Sequence, residues 1–253
     1  MSRRRTLLWG WTLALVAIAL FARAGLWQLE RRHEKQAMLA QSRSVLERRV
    51  PRPLSAAAEP GQRRAYAWSA GDGRFADLPP ILLDNQSRAE RAGVRALRVF
   101  EPAQGTPLLV ELGWLPLPGD RTMPAVPRPA GVSRVAGLLA PPPSAGLAKG
   151  TPVPLCHGIA CADGQPADAL LVIALDMRLL AQELGLRQLA PRILKLDPAQ
   201  PLGAVPAYAR DLDILPNTLP PERHLGYAVQ WFGLAIAVLV TALVLTFRKR
   251  RTP

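Results

Sequence analysis

The sequence predicts a membrane protein of the α+β class: two transmembrane helices flank a mainly antiparallel β domain outside the cytoplasm, a sandwich or small barrel with one or two short helices. Three observations predict it. Apolar runs of spanning length lie near both ends of the 253-residue chain. Basic residues crowd the chain-terminal end of each run. Between the runs, short apolar stretches alternate with connections rich in the chain's 26 prolines, a pattern of loops and edge strands rather than of a helical bundle.

The first run, Leu7 to Leu26 ("LLWGWTLALVAIALFARAGL"), is broken only by Arg23. At about 1.5 Å per residue it can cross a hydrocarbon core of about 30 Å. A cleaved signal peptide is the rival reading, with "MSRRRT" as its basic region and Ala22-Arg23-Ala24 as a small-x-small site. The apolar stretch exceeds the usual h-region of about 7–15 residues, which favours an uncleaved anchor. The second run, Leu225 to Phe247, carries no charge, and "FRKRR" follows it. The positive-inside rule then assigns residues 1–6 and 248–253 to the cytoplasm, 7–26 and 225–247 to the membrane, and 27–224 to the periplasm. The arginine-heavy, alanine- and proline-rich usage suits a GC-rich bacterial genome, and therefore a bacterial inner membrane. It also discounts the net charge of +13 as a partner signal. The basic residues are scattered and no nucleic-acid-binding motif is present, so no nucleic-acid partner is expected.

Past the first run, "GLWQLERRHEKQAMLAQSRSVLERR" has good helix formers and no proline before Pro51, which predicts that the helix continues beyond the membrane. Strand-length runs follow: one near "RAYAWSA", then "ILL" at Ile81, "VRALRVF", "PLLVELGWLP", "SRVAGLL" and "PRILKLD". The stretch "DMRLLAQELG" predicts a short helix with Asp176 as its N-cap, Leu179, Leu180 and Leu184 as its apolar stripe, and Gly185 as its stop. Asp72, Asp84, Glu90, Glu101 and Asp120 read as solvated turn residues.

The chain lacks G-x-S-x-G, Walker, H-E-x-x-H and G-x-G-x-x-G patterns, and with three histidines it has few candidate bases, so no enzyme is expected. The segment "PLCHGIACADG" holds its two cysteines, Cys156 and Cys161. Their spacing is not that of covalent haem attachment. A local disulfide suits an oxidising compartment. Cu(I) binding by Cys156, His157 and Cys161 is the sharper alternative, and free thiols are the third.

His224 stands at the mouth of the second run. On a helix it shares a face with Tyr227, Ala228, Trp231 and Ala235. At the end of the first span Trp27 and Arg31 share one face, and Gln28, Arg32 and Lys35 another. Two antiparallel spans bring an imidazole, aromatic rings and cations to one depth, the components a haem needs: an axial nitrogen, apolar faces, and partners for its propionates such as Arg31 or Arg223. The alternative is that these residues are interface anchors and nothing more.

"GLWQLERRHEK", "LVELGWLP" and "HLGYAVQWFGLA" occur in this order and together resemble the Surfeit locus protein 1 family. The resemblance covers the whole chain. It implies an assembly factor for cytochrome c oxidase that assists delivery of haem a to the catalytic subunit, with oxidase subunit I, haem a synthase and other assembly factors as partners. The histidine that binds haem a in bacterial relatives matches His224. The family's tryptophan-glutamine pair matches Trp27 and Gln28, and its glycine-tryptophan-x-proline matches Gly113, Trp114 and Pro116. These last three read as a structural corner or partner surface, with core packing of Trp114 as the alternative. Arg223 stands where the family commonly has asparagine. A copper chaperone acting through Cys156, His157 and Cys161, or a cofactor-free scaffold of the oxidase, are the competing functions.

Overall fold

The structure is a computed structural model that describes residues 3–144, 150–161, 165, 167–202, 208–215 and 219–248. The basic tail Lys249–Arg251, which oriented the second span, lies outside the described residues. The chain divides into two compact units, Met1–Ala40 with Thr218–Pro253, and Gln41–Asn217. The helix after the first apolar run continues well past it, as the absence of proline before Pro51 predicts.

That helix, α1 (Arg3–Arg48), is continuous over 46 residues. It ends where Arg49 turns into the left-handed region at φ 43°, two residues before Pro51, whose ring disfavours helix at the residue before it. The helix α3 (Pro221–Phe247) opens with proline at its first position, where the missing N–H costs nothing. Both α1 and α3 are long and apolar enough to cross a membrane.

In the β-rich unit a 3-10 turn, Leu54–Ala58, precedes the strands β1 (Ala67–Phe75), β2 (Ile81–Arg88), β3 (Arg91–Pro102), β4 (Leu108–Pro116) and β5 (Arg134–Ala140). After them come β6 (Val153–Cys156), β7 (Ile159–Ala160), β8 (Ala169–Val172), the helix α2 (Met177–Glu183) and β9 (Ile193–Leu196). Among the described residues the sheet order is β1-β5-β9-β4-β3-β2-β8-β6-β7, and a further β1–β3 pairing joins β1, β5, β9, β4 and β3 into a small closed barrel. Closure is possible because β3 is long. Its Arg91–Leu97 half pairs with β2, and its end at Phe100–Pro102 pairs with β1 on the same edge. Among the strand pairings of the described residues, β2–β8 and β4–β9 are parallel and the rest antiparallel.

The apolar residues of β3 fall on both faces, which explains its nearly unbroken run. Val94, Ala96 and Phe100 join the barrel interior with Leu108, Val110 and Leu194. Leu97 and Val99 face outward into a second core with Ile81, Leu109, Leu180 and Ile193, where α2 covers the sheet. The cap predicted for α2 is present: the Asp176 carboxylate accepts from the N–H groups of Arg178 and Leu179, at 2.9 and 3.2 Å, and Gly185 ends the helix at φ 65°. Asp72, Asp84 and Glu101, expected in solvated turns, lie instead on β1, β2 and β3, the last two partly buried, where Arg134, Arg121 and Arg74 pair with them.

The short strands β6 to β8 were not anticipated. Pro154 interrupts β6, and the apolar content of each is too brief to show a period. Cys156 and Cys161 are joined in a disulfide across the β6–β7 turn, where His157 and Gly158 adopt positive φ. In this state both sulfurs are bonded to each other rather than available to a metal.

"LVELGWLP" forms β4 and a bulge. Leu112 is skipped in the β3–β4 register, and Gly113 follows at φ 137°. A Cβ on Gly113 would sit 2.8 Å from Cγ of Arg210 and from Cβ of Tyr208. There the Tyr208–Arg210 segment docks, with Trp114 and Ala209 exchanging two backbone hydrogen bonds of 2.9 Å. Trp114 is buried, and its ring covers Gly93, where a Cβ would lie 2.4 Å from the indole. Pro116 is exposed at the strand end.

The same strand buries a carboxylate. Glu111 accepts hydrogen bonds from Lys195 Nζ at 2.8 Å and from Arg95 Nη1, and all three side chains are nearly inaccessible. Burial alone would raise the Glu111 pKa, but Lys195 and then Arg95 outweigh it and hold the carboxyl below its usual value. Asp211 lies 3.7 Å from Arg95 and also pairs with Arg88, tying the 208–215 segment to the barrel wall. Removing the carboxylate strands two buried cations, so Glu111→Ala should cost about 3–5 kcal/mol of stability, against under about 1 kcal/mol for the partly exposed Glu101→Ala. Denaturant unfolding followed by near-ultraviolet circular dichroism measures both. A folded-state pKa below the unfolded value near 4.3 gives stability that is full above that pH and is lost as the pH falls through the folded pKa. Glu111→Gln should flatten that acid limb.

Candidate functional site

The site lies in the helical unit, where α1 and α3 pack antiparallel. Going up α1, partners descend along α3: Trp11 Nε1 donates to Thr246 Oγ1 at 3.0 Å, the Phe21 and Trp231 rings stand 5.7 Å apart, and Lys35 Nζ donates to the Leu219 carbonyl. The packed residues of α1, among them Ala14, Ile18, Phe21, Gly25, Gln28 and Arg32, recur at alternating spacings of four and three. Pro221, His224, Ala228, Trp231 and Ala235 do the same on α3. That is the seam of a left-handed helix pair, with knobs on one helix entering gaps in the other.

Gly25 sets how close the helices come. A Cβ there would lie 2.8 Å from the Phe232 ring, so the ring rests on the α1 backbone. One turn along α1 and two along α3 the seam turns polar. His224 is only 7% exposed. Its Nδ1 lies 2.7 Å from Gln28 Oε1. Its other ring nitrogen, Nε2, is buried and has no hydrogen-bond partner among the described residues, and the same holds for Arg32 Nε.

The structure thus brings together some of the residues expected here and separates others. His224, Gln28 and Trp231 meet on the seam. Tyr227 lies at its edge, 39% exposed, and Trp27, 52% exposed, points outward from α1. Arg31 is exposed and engaged with Glu34 at 2.6 Å, and Arg223 is exposed on α3. Arg32 and Lys35 are the partly buried cations on the same stretch of α1. The four-three spacing that runs from Ala14 through Gln28 to Arg32 carried this assignment in the sequence. Counting forward from Gly25 by three and four would have placed Gln28 and Arg32 opposite His224, and Trp27 and Arg31 beside them.

The SURF1 family model matches residues 15–236, which take in both helices of the seam and the whole β-rich unit. The chain belongs to the SURF1 family. A search of curated proteins finds no match to it. The SURF1 family is linked to cytochrome c oxidase assembly. In this SURF1 protein the matched region ends just past Ala235, so it includes the polar end of the seam with His224 and stops short of the Thr246 contact.

Because Gly25 gives the Phe232 ring its place, a side chain there must displace that ring or part the helices. Gly25→Leu should cost about 1–3 kcal/mol, the usual range for overpacking, and Gly25→Ala less. Thermal unfolding in detergent measures the loss. Gly10, where an added methyl would have nothing within 4 Å, is the control, and Gly10→Ala is expected to cause no loss and to gain up to about 1 kcal/mol from helix propensity.

Proposed function

We propose that this chain assists assembly of cytochrome c oxidase by holding haem a as a transient cargo at His224 before it reaches the catalytic subunit. One observation carries the reading: a histidine nine-tenths buried at the mouth of an apolar helix, one ring nitrogen hydrogen-bonded and the other without a partner among the described residues. Buried polar atoms are nearly always paired, and an orphan of this kind in a helix seam is where a ligand belongs.

The residues present fit that cargo. The imidazole supplies an axial nitrogen. Trp231 and Phe21 on the seam, with Tyr227 and Trp27 at its edges, supply flat apolar surface. Arg31, Arg32 and Lys35, on the turn of α1 that follows Gln28, supply cations for propionates. Iron in the cargo supplies the Lewis acid that the Nε2 lone pair would meet. Nε2 is shielded in this structure, so entry of a flat ligand requires local opening of the seam beside Gln28. The reading takes both helices as membrane spans, with the β-rich unit in the periplasm of a bacterial cell and both termini in the cytoplasm. It gives the chain no catalytic step.

His224→Ala should lower the haem a that co-purifies with the full-length protein while leaving the circular dichroism of the β-rich unit unchanged. In a strain lacking the protein, oxidase activity and the haem a absorption of membranes should both fall, and the wild-type gene but not His224→Ala should restore them. Unchanged haem content in a well-folded His224→Ala protein would overturn the ligand assignment.

A further inference from the structure

We infer that Gln28 is a positioning residue that fixes the tautomer of His224, so that Nε2 is the lone pair open to a ligand. The inference rests on the proposed reading for its purpose but stands on its own geometry. Neutral imidazole carries one N–H, and which nitrogen bears it depends on what each nitrogen faces. Nδ1 faces the Gln28 carboxamide oxygen at 2.7 Å, an acceptor, so Nδ1 holds the proton and donates. Nε2 is then an acceptor without a hydrogen-bond partner among the described residues.

The opposite arrangement is worse. A proton on Nε2 would leave a buried N–H without an acceptor, and orphaned donors are rarer than orphaned acceptors. It would also turn the Gln28 oxygen against an unprotonated Nδ1, lone pair to lone pair, unless the amide rotated. The Gln28 oxygen thus does for this imidazole what the outer partners of metal-bound histidines do: it selects the tautomer, fixes the ring plane and raises the basicity of the free nitrogen. Helix packing holds Gln28 in place, since it is one turn from Gly25 on the same seam.

The test uses full-length protein in lipid nanodiscs with 15N-labelled histidine. Three histidines occur in the chain, and a His224→Ala sample identifies the His224 signals. In the haem-free wild type, His224 should show a protonated Nδ1 and an unprotonated Nε2. Gln28→Leu should redistribute the proton between the two nitrogens, whereas Gln28→Glu, which keeps an acceptor in place, should retain the wild-type tautomer. Titration with haemin as probe should then show about 10–100-fold weaker binding for Gln28→Leu and binding tighter than wild type for Gln28→Glu, whose carboxylate makes the imidazole a stronger donor. A proton on Nε2 in the wild type, or a tautomer indifferent to Gln28→Leu, would overturn the inference. If the tautomer follows Gln28 but neither the wild type nor any variant binds haemin, the positioning role stands and the haem reading fails.

Discussion

The close approach of α1 to α3 governs everything at the candidate site, and a missing side chain permits it. Within a bilayer, apolar helices gain little from the hydrophobic effect when they associate, because lipid is as apolar as their side chains. Small residues that let backbones meet, and polar pairs that would otherwise be unsatisfied, hold such helices together instead. Gly25, Ala14, Ala228 and Ala235 are the small residues here, all buried on the seam. The polar pairs stand near its two ends, Trp11 with Thr246 and Gln28 with His224. Sliding one helix past the other by a turn would break both pairs at once, so their combination sets the register that the apolar middle leaves loose.

The β-rich unit solves a related problem with charge. Closing a five-strand barrel around β3 requires a strand that bends, and the bulge before Gly113 provides the bend. The bulge also leaves β4 with a hydrogen-bonding edge that Ala209 takes up. Beside it Glu111 is tied to Arg95 and Lys195, and Asp211 extends the cluster to the segment that docks on the bulge. The fully paired arrangement contributes less to net stability than apolar packing would, but its geometry tolerates few alternatives, which suits a segment that must arrive at one register.

What the sequence showed and what it hid follow from how each feature is encoded. Both long helices, the α2 cap at Asp176 and the stop at Gly185 were legible, because each rests on local periodicity or on a residue whose chemistry has one use. The strands of the barrel were legible as apolar runs, but their order was not, since pairing of β9 between β4 and β5 depends on contacts far apart in sequence. The stretch around β6 and β7 hid its strands behind Pro154 and a disulfide turn. Glu111 was passed over because a single acidic residue in "LVELGWLP" has no local partner, and its cations come from β3 and β9. At the helical site the imidazole and Gln28 were visible through family resemblance. The helical faces taken alone offered Trp27 with Arg31 and Gln28 with Arg32; the four-three spacing from Ala14 through Gly25 favours the second, which the Gly25–Phe232 contact places on the seam.

A carrier that must release what it binds is constrained in how many bonds it makes, since each 1.4 kcal/mol of extra affinity lowers the dissociation constant tenfold. The seam has one imidazole to offer, because of the two histidines on these helices His33 is exposed and His224 is buried. On the proposed reading, release breaks a single coordinate bond, and the strength of that bond is set through Gln28 rather than by adding a second ligand. A neutral carboxamide makes the imidazole a better donor than an unpartnered ring but a weaker one than a carboxylate at the same place would. Placing glutamine rather than glutamate beside the histidine therefore fits a site that accepts its cargo and lets it go.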